Sequence, residues 1–193
     1  MDVPFFIGGN DSNSMSFGSG ILVNTIAAGA INPDGYVYVY GVKGTNKNLV
    51  VSRVASKDFE RTGEWQFWDG SHWIAEMSKV AGITDHVSNE LSVSPLPDGR
   101  YVLFFQVDGI SSTIGVRVGS SPVGPFGPII KVYDCSADLV GKKIYTYNAK
   151  AHPALSGKGE LLVSYNVNSF DFENDIRLYP NLYRPRFIRV KWL

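Results

Sequence analysis

One cysteine, Cys135, is present in 193 residues. No intrachain disulfide can form, and a zinc site built on thiolates is excluded. The expected state of Cys135 is a buried, unreactive thiol. Charge of neither sign is in excess, since 18 basic residues face 18 acidic ones without a basic run. That balance excludes nucleic acid or an anionic membrane surface as the main partner. No apolar run reaches membrane-spanning length, so no membrane insertion is expected. The opening Met1-Asp-Val-Pro-Phe-Phe6 lacks the basic, apolar, small-residue order of a secretory signal. Helical periodicity is nearly absent, and only residues 55–60 and 136–140 read as helical turns. Nucleophile-elbow, phosphate-loop and His-Glu-x-x-His motifs are missing as well.

What is present is β-forming material. Aromatics make up 13% of the chain and glycine contributes 20 residues, a mixture suited to strands joined by tight turns. Short apolar or alternating runs recur: Tyr36-Val-Tyr-Val-Tyr40, Leu49-Val-Val-Ser-Arg-Val54, Tyr101-Val-Leu-Phe-Phe105, Ile114-Gly-Val-Arg-Val118, Leu161-Leu-Val-Ser-Tyr165 and Phe187-Ile-Arg-Val-Lys-Trp192. Gly, Pro, Asn and Asp separate them.

The runs obey a repeat. Asn24, Asn89 and Asn148 each precede an apolar residue by seven positions (Ile31, Leu96, Leu155), a turn ending in Gly follows, and a strand comes next. The spacings are 65 and 59 residues. Four-stranded antiparallel units at such a period need neighbours to bury their faces, which is the requirement of propeller blades. The predicted fold is all-β, a β-propeller of about three four-stranded antiparallel blades. Residues 24–88, 89–147 and 148–193 form the blades, the last ending at its third strand, and residues 1–23 form an extension or strand.

The stretch Val116-Arg-Val-Gly-Ser-Ser-Pro-Val-Gly-Pro-Phe126, the opening Asn89-Glu90 with Pro97-Asp-Gly-Arg-Tyr101, and the closing Tyr165-Asn-Val-Asn-Ser-Phe170 and Tyr183-Arg-Pro-Arg-Phe-Ile-Arg-Val190 carry a resemblance. Residues 18–193 resemble the five-bladed propeller glycoside hydrolases, the arabinanase, xylosidase and furanosidase group, and resemble more closely still the bacterial domains of unknown function related to them. The box typical of sialidase propellers is absent. The resemblance implies a blade with a catalytic Asp that this chain does not show, so the remaining blades would come from a parent chain or another protomer. It also implies an extracytoplasmic setting and a poly- or oligosaccharide as partner.

Several residues are candidates for chemistry. The resemblance puts Glu90 at the general-acid position of the glycosidases; the plain alternative is a carboxylate paired with a neighbouring cation. A second carboxylate is needed for hydrolysis. Thr25 and Ala149 occupy the matching places without being acidic, and Asp11 and Asp85 read mainly as turn residues. Asn24, Asn89 and Asn148 either ring a central channel or satisfy backbone groups. His152, expected within the third inner strand, is a candidate ligand contact by the resemblance or a hydrogen-bonded core histidine. Strand alternation sets Lys150 on the same face, free to bind an acidic sugar or to pair with Glu90. Trp73 is the tryptophan expected to be open to a sugar, whereas Trp65 and Trp68 read as packing. No cofactor is expected; Asp171-Phe-Glu173-Asn-Asp175 offers weak calcium chemistry and reads first as a solvated loop. Asn10-Asp-Ser12 matches a glycosylation acceptor. Three readings follow: a glycoside hydrolase-like enzyme, a glycan-binding propeller without turnover, or an architectural module.

Overall fold

The strand-forming runs assemble into three antiparallel sheets in a computed structural model that describes residues 5–9 and 11–191. The first sheet orders β1 (Phe6–Ile7), β2 (Met15–Asn24), β3 (Tyr36–Lys43), β4 (Asn48–Ala55), β5 (Gln66–Trp68) and β6 (Trp73–Ile74) side by side. The second comprises β7 (Leu91–Pro95), β8 (Tyr101–Gln106), β9 (Thr113–Gly119) and β10 (Ile130–Asp134). The third has β11 (Ile144–Ala151), β12 (Glu160–Ser169) and β13 (Arg186–Lys191). Each sheet is a meander, and the first strand of the middle sheet, β7, lies against both β2 and β11. Sheets that stack face to face with their leading strands together are propeller blades. The chain is a three-blade propeller segment whose first blade carries six strands and whose last carries three.

The stacking explains the residue pattern. In β8, Tyr101, Leu103 and Phe105 face the first sheet, where they meet Tyr38, Tyr40 and Val51. Val102 and Phe104 face the third sheet and meet Val163, Tyr165 and Val167. A strand covered on both sides reads as a continuous apolar run, and all six residues of β8 are buried. Burying such a side chain contributes about 1.5–3 kcal/mol, so the two inter-sheet layers are the main source of cohesion. Tyr40, fully buried, keeps its phenol satisfied by donating to the Pro122 carbonyl at 2.9 Å.

Close approach of the leading strands has a sequence cause. A Cβ at Gly20 would stand 2.8 Å from the Leu91 carbonyl oxygen, so only glycine lets β2 reach β7. On the other side the Ala151 amide donates to Ser92 Oγ at 2.8 Å, tying β11 to β7. Buried Gln106 donates to Thr146 Oγ1 at 3.2 Å across the same interface. Cys135 is buried beside this network, and burial pushes its thiol up to about 11.

The textual repeat and the hydrogen-bond register are out of phase. Asn24 ends its strand, paired with Tyr36, whereas Asn89 precedes β7 and Asn148 lies inside β11. The three asparagines therefore do not occupy equivalent places in their sheets. His152 is not within a strand either; it follows β11 and leads into a single turn of tight helix at Pro153–Leu155. Residues 172–175 form the start of α1 (Phe172–Leu178) rather than a loop. Asp171 pairs there with Lys143 at 2.7 Å and Asp175 accepts the Ser169 hydroxyl, so these acidic side chains turn to separate partners. The helical turns expected near 55–60 and 136–140 are short tight helices at Ser56–Asp58 and Ser136–Asp138. Among the described residues no helix is long and apolar enough to cross a membrane. Asn10 and Trp192 lie outside the described residues.

Candidate functional site

The junction of the second and third sheets gathers most of the chemistry. Two residues of β11, Asn148 and Ala149, stand against the single Tyr165 of β12 where the register slips by one between Tyr147 and Lys150. This bulge puts Asn148 in the left-handed region, φ 59°, which asparagine tolerates better than most residues. The consequence is directional: the Asn148 amide leaves the sheet and donates to Glu90 Oε1 at 2.8 Å. Lys150 Nζ stands 3.2 Å from Glu90 Oε2. Both carboxylate oxygens of Glu90 are thus engaged, one by an amide and one by an ammonium.

Lys150 and His152 do share a face. Lys150 is in register with Ser164, and His152 Nε2 lies 2.7 Å from Ser164 Oγ. Partial burial, with Lys150's charge second, holds the His152 imidazole below its ordinary pKa and favours the neutral ring. Glu90, Asn148, Lys150 and His152 form one polar strip along the front of the third sheet.

Beside the strip is a cleft of about 260 Å³ walled by Lys47, Asn89, Asp108, Tyr145, Tyr147 and Asn148. Alternation along β11 aims both tyrosines out of the third sheet, with ring centroids 5.4 Å apart. Asn89 enters through its side-chain oxygen, which accepts from Lys47 Nζ at 2.9 Å. Asp108, φ 57°, is held by His86, also φ 57°, whose Nδ1 lies 2.5 Å from Asp108 Oδ1. The amide of Asp108 donates to the His86 carbonyl at 2.9 Å, fixing both strained residues. The Asp108 hydrogen bond, then the charges of Asp108 and Asp85, raise the His86 pKa above that of a free imidazole.

Other sequence candidates stand elsewhere. Asn24 is buried and donates to the Asn32 carbonyl at 3.0 Å, a backbone-satisfying role. Trp73 belongs to the outermost strand of the first sheet, far along the blade from β7. Its ring is not an open platform, because the Arg53 guanidinium covers it at 4.2 Å and Trp68 packs at 5.2 Å. Trp65 is buried and stacks on Phe5 at 4.3 Å. Asp11 caps the turn at Asn13 and Ser14, and Asp85 pairs with Arg117 at 2.8 Å. Ala149 faces the core.

Four cleft residues escape a reading of the sequence: Lys47, Asp108, Tyr145 and Tyr147. Tyr145-Thr-Tyr147 did carry a signal, since a spacing of two sets both rings on one face. Lys47 and Asp108 sit in hairpin turns, and nothing local announces which turns converge.

Among solved structures the chain is similar to a Bacteroides ovatus protein provisionally described as a hydrolase. The TM-score is 0.70 and the identity 22%, over 91% of this chain and 45% of that one. It is also similar to the endo-arabinase of Bacteroides thetaiotaomicron, with TM-score 0.44 and 15% identity over 90% and 49% of the two chains. A third likeness is to a Xanthomonas citri GH43_1 enzyme solved with xylose, with TM-score 0.44 and 17% identity over 81% and 48%. The chain spans about half the length of these structures, and the first likeness is one of fold. No curated protein matches the sequence. Residues 14–192 match the profile of a domain of unknown function, DUF5005, and the chain belongs to that family.

Proposed function

We propose that the protein is a glycoside hydrolase-like, carbohydrate-binding propeller whose saccharide lies in the cleft between the second and third sheets, outside the cytoplasm. One observation carries this reading: a cleft lined by two tyrosine rings, Asn89 and Asn148 lies beside the Glu90–Lys150 strip, to which Asn148 links it. Sugars present apolar C–H faces that stack on aromatic rings, and hydroxyls that exchange hydrogen bonds with amides and carboxylates. Ser164 and His152 extend the polar strip, so a chain of several sugar units can follow it.

Glu90 is the residue for the catalytic version of this reading. It stands just before the leading strand of the middle blade, where a carboxyl can reach a bound glycosidic oxygen. Acting as a general acid requires an oxygen free to aim at the leaving group, and here a saccharide would have to displace Lys150 or Asn148 first. Binding is therefore the primary proposal and turnover the second.

Calorimetric titration of the chain with a panel of plant and host oligosaccharides tests both. Binding that falls about tenfold or more in Tyr147→Ala supports the cleft. Release of reducing ends by the wild type that Glu90→Gln abolishes, with binding kept, supports turnover. Failure of every saccharide to bind overturns the proposal and leaves an architectural role.

A further inference from the structure

Resting on the saccharide reading of the same cleft, we infer that the ligand carries a carboxylate, as a uronic acid does, and that Lys47 receives it. Lys47 lies in the turn joining β3 to β4 with φ 52°, a left-handed conformation unusual for lysine. Its backbone is clamped: its amide donates to the Gly44 carbonyl, and its carbonyl accepts from the Val87 amide, each at 3.2 Å. The turn thus presents the side chain to the cleft rather than to open solvent.

Among the described residues the neighbouring carboxylates each have a partner of their own, and Lys47 Nζ has no carboxylate partner. Asp108 is bonded by His86, Asp85 pairs with Arg117, and Glu90 pairs with Lys150. Among the described residues no carboxylate stands within 4.0 Å of Lys47 Nζ. Its recorded bond goes to the neutral Asn89 amide oxygen. An ammonium has three donors, of which Asn89 takes one, and Lys47 lines a cleft on either side. Lys47 and Asn89 form a shared wall between the tyrosine cleft and a second cleft of about 260 Å³ lined by Ile7, Ser14 and Ser16. One uncompensated positive charge in a partly enclosed wall attracts an anion, and a carboxylate accepts charge-assisted hydrogen bonds from an ammonium.

The test titrates the intact protein with oligogalacturonides and glucuronate-bearing oligosaccharides alongside neutral oligosaccharides of equal length. Acidic ligands are expected to bind about tenfold tighter, the worth of one charge-assisted bond. That advantage should shrink as salt rises. Lys47→Met, which keeps the length and removes the charge, should erase the preference by weakening acidic ligands about tenfold more than neutral ones. The salt series on the wild type repeats the test without any substitution. Equal affinity for acidic and neutral saccharides overturns the uronate assignment and leaves the saccharide reading standing. Absence of binding to either class overturns both.

Discussion

The outward faces of the first and third sheets begin with similar material and end differently. On the first sheet Val37, Val39, Val50 and Val54 point away from the middle blade, and the chain folds back over them. Trp65, Phe67 and Val80 cover them, with Phe5, Ile7 and Met77 at the margin. Ile21 and Val23, at 55% and 45% exposure, remain at the edge. On the third sheet no described residues form such a cover over the corresponding face. Glu160, Leu162, Ser164, Asn166 and Asn168 alternate with the buried residues of β12, and Phe170 and Phe187 are 72% and 57% exposed. The difference teaches that a blade at the end of a stack has two solutions. It can supply its own lid, which needs extra strands, or it can make the free face largely polar and keep aromatics at its margins.

The sharpest way to break this comparison is to remove an aromatic from each face. Trp65→Ala should cost about 3–5 kcal/mol, because it opens a cavity under the lid. Phe170→Ala should cost about 0.5 kcal/mol or less. Urea denaturation of both variants measures the contrast, and equal losses would mean that the third face is as covered as the first. The next effect concerns the seam between the first two blades. Gly20→Val drives a side chain into the Leu91 carbonyl and should cost about 1–3 kcal/mol by the same measurement. An unchanged midpoint would show that β2 and β7 do not need their close approach.

Smaller effects sharpen the third sheet's side of the contrast. Asn148→Ala loses both the bond to Glu90 and tolerance of φ 59°, about 1–2 kcal/mol together. Asn148→Gly keeps the backbone and should lose less than half of that. If the two variants match, the bulge rather than the side chain is irrelevant to stability. The smallest effect is pH-dependent. His86 has a raised pKa, so its protonated pairing with Asp108 stabilises the fold fully below the free-imidazole value of about 6.5 and fades as pH rises through the folded value. His86→Gln should lower the melting temperature at pH 5 and leave it nearly unchanged at pH 9. A gap of equal size at both would assign the pair a purely steric role.

Much of the fold was legible. The runs starting at Tyr36, Leu49, Tyr101, Ile114 and Leu161 are β3, β4, β8, β9 and β12, because turn residues and apolar content act locally. The leading strands were harder. Met15-Ser-Phe-Gly-Ser-Gly carries an interruption where β2 slips against β3 between Phe17 and Gly20, so its alternation breaks. The bulge in β11 does the same near Asn148. Connections of different length, 25–35, 96–100 and 152–159, then let a repeat of letters drift out of phase with the repeat of hydrogen bonds. Of the candidate site, Asn148 and Lys150 meet Glu90, Asn89 shares a cleft with Asn148, and His152 continues the strip past Lys150 through Ser164, while Asn24 and Trp73 make other contacts.

The sequence by itself determined that the chain makes strands joined by tight turns in repeating antiparallel units, and that an intrachain disulfide is impossible. Those facts follow from side-chain volume, period and count, which need no knowledge of distant partners. Only the tertiary structure decided that two hairpin turns and one bulge meet at a cleft. It also decided that Glu90 faces Lys150 and Asn148, and that Lys47 has no carboxylate partner among the described residues. Such pairings depend on how far each strand slides and how closely two sheets approach, and non-local packing sets both.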